Sequence, residues 1–515
     1  MNAFIQAHAS KIIGMISGWD RVRFRGTVRM LANVPGLERF LKCTGRLLKD
    51  FKEHVVTLSR GVRAASLGAA ERSGRPVVHL QDPGVCKEDL AREIQRRDGI
   101  KEGLICVLTA VEPCWSFNLR SNRELGVLEL EGARRKCQHL YHYMVHPAWG
   151  FMHVRLQTWL PMNVHVCING REWLSRQMDA AGIEYVRREN CFAWISDVAG
   201  AQELLWEQVR FNWEGALGEL IGQVHPGFAT IQGGLRIGYY WSVDESEWAS
   251  DVMFKNAGEL SRLYGRLIRH GMESLGSREV LRFLGRRVER GITPRLALEV
   301  TSDLGRRAEG IRIKHRVGSN SVKMYNKEQT VLRVETTINR ASELKAPRAR
   351  GEKVCWERMC KGVGNIDQRA AASEAANQRY MEAMSAVEDT LSLQALTEDL
   401  AKPVAGPKLR ARGLNLLGRE DARLLEVVGD GTFLLQGFRN GDLQRMLYDG
   451  PAESDVEKRR RSGQATRKLR LLRAHGLIEK IEGTHRYMVC SKGRQVITAL
   501  QAARAANVTQ LAAAA

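Results

Sequence analysis

The sequence predicts an α+β protein: a basic, multi-domain body around a central antiparallel sheet, then a helical connector and a compact C-terminal module. Three observations carry this. Ile311 to Asn339 reads IRIKHRVGSNSVKMYNKEQTVLRVETTIN, three β-like runs separated by Gly318-Ser319-Asn320 and Lys327-Glu328-Gln329. Between residues 104 and 200, strand candidates, turn dipeptides and a helix start follow one another, the grammar of an α+β domain. From residue 414 to 500 come three helical segments, a glycine stop and two short strand candidates.

The formal charge is +21, from 79 Lys and Arg against 58 Asp and Glu, with a pI near 9.8. Such a charge selects partners rather than a fold: it favours a polyanion, with affinity that falls steeply as salt rises. A small-molecule sensor has little reason to be so positive. The length implies roughly two to four domains. Composition shifts divide the chain into an α+β basic region (1–200), helices plus an antiparallel β-meander (201–345), a helical connector and linker (346–413), the C-terminal module (414–502) and a disordered tail (503–515). No apolar run reaches the ~18 residues of a membrane span. The opening MNAFIQAHASKIIGMISGWDRVRFRG has an apolar patch, broken by Asp20 and Arg21 and without a cleavage site, so no secretory leader is expected. The ten cysteines include no Cys-x-x-Cys pair, which points to reduced thiols in a cytoplasm rather than a zinc centre.

In chain order, residues 1–35 predict a helix and then a strand. Arg21 to Val28 alternates basic and apolar residues, placing Arg21, Arg23 and Arg25 on one side, able to meet phosphate or to form a solvated, charged edge. Asp20 resembles the first acid of an RNase H-like nuclease, although a lone Asp before a strand is common. Residues 35–100 are mainly helical, with Leu37, Phe40, Leu41, Leu47, Leu48 and Phe51 at helical spacing. Leu104 to Leu108, Phe151 to Leu156 and Val164 to Ile168 are strand candidates, the last running into the turn dipeptide Asn169-Gly170 before a helix from Arg171. Five histidines cluster here. His139 and His142 are expected on one helical face, and His153 and His165 in strands. With His146, all five are explained as locally satisfied core or surface groups.

Helices are expected at Glu203 to Glu207, Glu247 to Phe254 and Leu281 to Arg287. Tyr239, Tyr240 and Trp241, followed by Asp244 and Glu245, fit a helix start with buried aromatics better than a base-stacking or metal cluster. In the meander, Val322, Met324, Leu332, Val334 and Ile338 share one parity, and Lys323, Tyr325, Lys327, Arg333 and Glu335 the other. If Lys327 pairs with Val331, Tyr325 faces Arg333 and Lys323 faces Glu335. Lys314 and Arg316 add cations in the first run. An ordinary solvated sheet face explains the same alternation. Beyond Asn339, residues 366–400 predict a long exposed helix, KPVAGPKLRARG a linker, and the terminal QAARAANVTQLAAAA a frayed end.

The Lys-x-Tyr-x-Lys strand followed by Leu-Arg-x-Glu resembles the core of rolling-circle replication initiators of plasmids and filamentous phages, over some 30 residues. The resemblance implies a DNA nicking endonuclease in which Tyr325 attacks a phosphate and forms a phosphotyrosyl bond. Lys323, Lys327 and Arg333 would neutralise the phosphate, and Glu335 would help hold Mg²⁺ or Mn²⁺. The family's His-hydrophobic-His metal triplet is missing here, which puts a histidine-bound metal in doubt. Residues 414–502, with the phrase LLRAHGLIEKIEGTHRYMVCSKGRQ, resemble a winged-helix DNA-binding domain. That resemblance implies that Gln464, Arg467, Lys468 and Arg470 face a DNA groove, with His485 and Arg486 at the wing, and the run Arg459-Arg460-Arg461 adds basic character. Three functions follow in order of support: a mobile-element replication or nicking protein, a non-catalytic DNA- or RNA-binding component of a larger complex, and a winged-helix transcriptional regulator. Nucleic acid, DNA foremost, is the expected partner, within a homo-oligomer or mobile-element complex.

Overall fold

A computed structural model describes residues 2–505 except 83, 226, 233–234, 286–298, 308–309, 351–352, 386–392, 406–409, 417, 431–432, 434–436, 449 and 482–483. The chain divides into two compact units. One comprises residues 10–260 and 319–377, the other residues 1–9, 261–318 and 378–515.

The strands in chain order are β1 (Ile12–Val28), β2 (Val77–Leu80), β3 (Gly103–Asn122), β4 (Val127–His146), β5 (Gly150–Gln157), β6 (Val164–Asn169), β7 (Tyr185–Arg188), β8 (Cys191–Ile195), β9 (Tyr239–Phe254), β10 (Val300–Arg307), β11 (Gly310–Val317), β12 (Asn320–Lys327) and β13 (Val331–Ile338). In the first unit the order across the sheet is β12-β13-β9-β1-β6-β5-β4-β3-β2. Every pairing here is antiparallel except β2 with β3. β7 and β8 form a separate hairpin. The sheet thus draws strands from both sides of the expected boundary at residue 200: β1 and β9 are neighbours, though more than 200 residues lie between their starts.

The β1 alternation holds. Val22, Phe24 and Val28 are buried, while Arg21 and Arg23 are exposed. The strand is not an edge, since β6 and β9 flank it. Its pairing with β9 is irregular between Trp19 and Arg21, and a bulge of this kind re-aims side chains. Asp20 and Arg21, adjacent in sequence, both bond to groups on one face of the sheet, Arg333 and Glu247. Trp19 packs edge-on against Trp248, ring centroids 4.7 Å apart, within one continuous apolar core.

Four local expectations are corrected. Glu247 to Phe254, read as a helix, is the second half of β9. Central pairing on both flanks, with β1 and β13, overrides its weak helical spacing. Asn169-Gly170 starts a helix (Gly170–Ala181) instead of a turn, because the Asn169 side chain accepts from the backbone N–H of Arg171 and Glu172 as an N-cap. His139 and His142 lie in β4, three residues apart on opposite faces, not on a helix. The helix Ile366–Met384 is not solvent-borne. Within residues 319–377 it buries Ile366, Arg369, Ala370, Ser373, Ala376 and Asn377. The Asn377 amide donates to the carbonyls of Trp248 and Val334, tying the helix to β9 and β13.

In the other unit β10 pairs with β11. The C-terminal module contains helices Arg419–Val428, Asn440–Leu447 and Asp455–Ala474, a hairpin pairing Ile478–Lys480 with Tyr487–Val489, and a last helix Ser491–Ala505. The third helix begins four residues before Arg459, capped by the Ser454 hydroxyl. Its expected apolar face, Ala465, Leu469 and Leu472, is buried against Leu424, Leu443 and Leu477. The last helix covers the first five residues of the stretch expected to fray, and residues 506–515 lie outside the described residues. Among the described residues no helix is long and apolar enough to cross a membrane.

Candidate active site on the central sheet

The β12–β13 pairing places Tyr325 opposite Arg333, Lys323 opposite Glu335 and Lys327 opposite Val331, the register expected from the sequence. The polar side of this hairpin is not a solvated face. Arg333 and Glu335 are each 1% exposed, because the next strand, β9, brings Asp251 and Glu247 to the same face by its pairing with Arg333 and Thr337.

Two linked clusters result. In the deeper one, the Arg333 guanidinium grips Asp251 with two bonds of 2.6 and 2.8 Å, reaches Asp20 at 2.9 Å and donates to the Asn190 carbonyl at 2.7 Å. Arg171 adds a second cation 2.9 Å from Asp251, and the Asn190 amide donates to Asp20 at 2.7 Å. Burial disfavours the Asp251 anion, but Arg333 and Arg171 outweigh it and hold its carboxyl below the usual aspartate range. A bidentate arginine, with both Asp251 oxygens engaged, is what a desolvated ion pair needs to persist.

The second cluster lies beside it. Tyr325 Oη donates to Glu335 Oε2 at 2.7 Å. The other Glu335 oxygen lies 2.5 Å from Lys323 Nζ, which sits 5.8 Å from the centre of the Tyr325 ring and 3.7 Å from Glu247. Glu247 in turn pairs with Arg21 at 3.1 Å. Burial and the adjacent Glu335 carboxylate push the Tyr325 phenol well above its ordinary value. Burial also pushes Glu335 up, against the pull of Lys323. The arrangement is a neutral phenol donating to a carboxylate whose proton affinity is raised, with a lysine on the far carboxylate oxygen.

Several expected roles change. Arg333 cannot neutralise a phosphate, because its guanidinium is consumed by two aspartates and a carbonyl. Lys323 is held by Glu335, and Lys327 lies 3.8 Å from Glu189. Arg21 and Arg23 pair with β9 carboxylates, Arg23 with Glu245 at 3.1 Å, and Arg25 is half-buried between His165 and Ser242. Tyr239, Tyr240 and Trp241 form the start of β9 and not a helix. The five histidines bring no metal centre together. Burial lowers His139, His142 and His153 to about 4, and among the described residues no group of three His, Cys, Asp or Glu side chains is arranged to hold an ion. Glu335, its two oxygens taken up by Tyr325 and Lys323, does not fit a Mg²⁺ or Mn²⁺ ligand in this arrangement.

Sequence reasoning missed Asp251, Arg171, Asn190 and Glu247. Asp251 and Glu247 fell inside the segment read as a helix. Arg171 and Asn190 carried no local signal, since their partners are distant in sequence.

In the other unit, Lys314 pairs in register with Asp303, and Arg316 lies 3.6 Å from the same carboxylate. On the third C-terminal helix, Arg459, Arg460, Arg467 and Arg470 are exposed, and Lys468 is half-exposed. Arg461 instead pairs with Glu457 at 2.8 Å and caps the Gly450 carbonyl, and Gln464 accepts from Tyr448 at 2.7 Å. His485 is exposed on the hairpin loop, and Arg486 donates to the Gly437 carbonyl. Compared with known protein families, curated proteins and solved structures, the chain matches none.

Proposed function

We propose that this chain is a DNA-nicking protein that transfers a strand to Tyr325, and that its C-terminal module is a winged helix that holds duplex DNA. The hydrogen bond from Tyr325 to Glu335, with Lys323 on the far carboxylate oxygen, carries the reading. Tyr325 Oη attacks the phosphorus of a phosphodiester as its proton passes to Glu335. The bond from phosphorus to the leaving sugar oxygen breaks, and that oxygen takes a proton from solvent. The chain is left as a phosphotyrosyl ester. The buried Arg333–Asp251–Asp20 cluster positions β12 and β13, so that the attacking phenol and its proton acceptor stand at a fixed distance. The exposed arginines of the third helix, the order of three helices and a hairpin, and the charge of +21 support the DNA partner.

A second reading, a non-catalytic nucleic-acid binder, is favoured by the burial of Tyr325 against the Glu335 carboxylate, which keeps the phenol neutral. One experiment separates the two. Supercoiled and single-stranded DNA are incubated with wild type and Tyr325→Phe, with and without Mg²⁺ or Mn²⁺, and a denaturing protein gel is examined for DNA-linked protein. A band that Tyr325→Phe abolishes supports nicking. Salt-sensitive binding with no band under any condition supports the binder.

A further inference from the structure

Strands β3 and β4 outrun their neighbours in the sheet. The pairing of β2 with β3 stops at Ala110, and that of β5 with β4 at His139. From Val111 to Gln138 the two strands run on as a ribbon of their own. Register sorts the side chains of this ribbon by face. Val111, Pro113 and Trp115 share one face with Arg134 and Lys136, whereas Glu112, Glu129 and Glu131 all fall on the other. The face of Arg134 and Lys136 therefore carries no carboxylate from either strand. Thr109 and Leu140 are buried at one end of it, and Phe117 and Leu130 at the other. Between them Val111, Trp115, Arg134 and Lys136 are open to solvent.

Trp115 is both exposed and pinned. It is 51% exposed, yet its six-membered ring lies against Gly132, where a Cβ would stand 2.4 Å from Trp115 Cζ2 and 2.9 Å from Cη2. One face of the indole is thus held on backbone and the other is left to water. Arg134 stands directly across from Trp115, and Lys136 across from Pro113, so their Cβ atoms lie about 5 Å from those partners. Among the described residues neither Arg134 nor Lys136 makes an ion pair or a hydrogen bond. Their neighbour Arg135, on the reverse face, is engaged by the Phe117 carbonyl and the Trp159 ring. A fixed aromatic plane with two unclaimed cations beside it is a surface left open to a ligand.

We propose that this open face of the ribbon binds single-stranded nucleic acid, one base stacking on Trp115 while Arg134 and Lys136 neutralise the phosphates beside it. Every base has a π-face, so a rigid indole accepts any sequence. An unpaired strand can turn a base onto that indole, whereas a duplex keeps its bases stacked on one another. The absence of carboxylates from the face removes the repulsion that would otherwise oppose a polyanion. This surface is independent of the chemistry at Tyr325, and it differs from the exposed arginines of the third C-terminal helix in its ligand: an unpaired strand instead of a duplex.

The full chain is irradiated with an oligothymidylate carrying iododeoxyuridine, single-stranded or annealed to its complement, then digested and mapped by mass spectrometry. A crosslink on Trp115 is expected from the single strand, and one roughly tenfold weaker from the duplex. In anisotropy titrations with a labelled single-stranded oligothymidylate, Trp115→Ala should weaken binding by roughly 5- to 100-fold, the worth of one stacked base, and Trp115→Phe by less. Arg134→Gln with Lys136→Gln removes no contact that the fold uses. It should reduce the slope of log affinity against log salt by roughly 0.7 for each phosphate no longer neutralised. Crosslinks confined to other residues, or affinity unchanged in both the Trp115→Ala and the double variant, overturn the inference. So does a Trp115→Ala chain that binds the oligonucleotide normally but loses a self-association present in wild type, which assigns the face to a second copy. The Tyr325→Phe chain should crosslink as wild type does, so a failure of nicking leaves this outcome readable.

Discussion

The β12–β13 hairpin and the third C-terminal helix are both rich in cations, and the structure uses them in opposite ways. On the hairpin, Lys323 and Arg333 each meet carboxylates within 3 Å in a water-poor interior. On the helix, Arg459, Arg467 and Arg470 point to solvent. A charge taken out of water must be matched by a partner, so a buried cation reports on the protein's own carboxylates. An exposed stripe of like charge is retained at small cost, and it raises the local concentration of a polyanion. The same residue type thus marks internal architecture in one unit and an outward-facing surface in the other.

The sharpest way to break this contrast is Arg333→Met. Among the described residues, it leaves Asp251 with Arg171 as its one close cation and Asp20 with only the Asn190 amide, and should cost about 3–5 kcal/mol, read by urea denaturation of the full chain. Acid provides the next test. Asp251 has its carboxyl depressed in the folded state, so its stabilisation is fully present above the unfolded aspartate value and is lost as pH falls through the lower folded value. The thermal midpoint should hold above about pH 4 and drop below it. A flat midpoint down to about pH 2 would mean that the Asp251 cluster contributes nothing.

The helix should respond otherwise. Arg467→Ala with Arg470→Ala should leave the unfolding midpoint almost unchanged. The slope of log affinity for duplex DNA against log salt should fall in magnitude by roughly 0.9 for each phosphate that is no longer neutralised. An unchanged slope would place the DNA surface elsewhere. The smallest effect concerns the hairpin turn. Glu328 and Gln329 both adopt left-handed backbone, with φ of 51° and 64°, a conformation that costs a non-glycine residue about 1 kcal/mol. Gln329→Gly should raise stability by about that amount, read by urea denaturation.

Where period-two alternation and a short turn coincide, as from Val322 to Ile338, the local pattern was enough to set the register, because a slip of one residue exchanges the two faces. The C-terminal helices were legible for a similar reason, each carrying a buried stripe and clear stops. Glu247 to Phe254 was misread because a strand buried on both faces loses its alternation and keeps only a run of mixed residues. The candidate site was half legible: Tyr325, Lys323 and Glu335 stand on adjacent strands joined by one turn, whereas Arg333 meets Asp20 across 313 residues of chain.

The sequence by itself determined the basic character of the chain, the pairing of Tyr325 with Arg333 and of Lys323 with Glu335, and the order of three helices and a hairpin near the C-terminus. Each is encoded in charge count or in periodicity over a few residues. Only the tertiary structure decided that β9 lies between β1 and β13 and that Arg333 belongs to the interior. Those outcomes depend on which distant strands become neighbours, and burial then sets whether a charge is paired inside or offered to a partner.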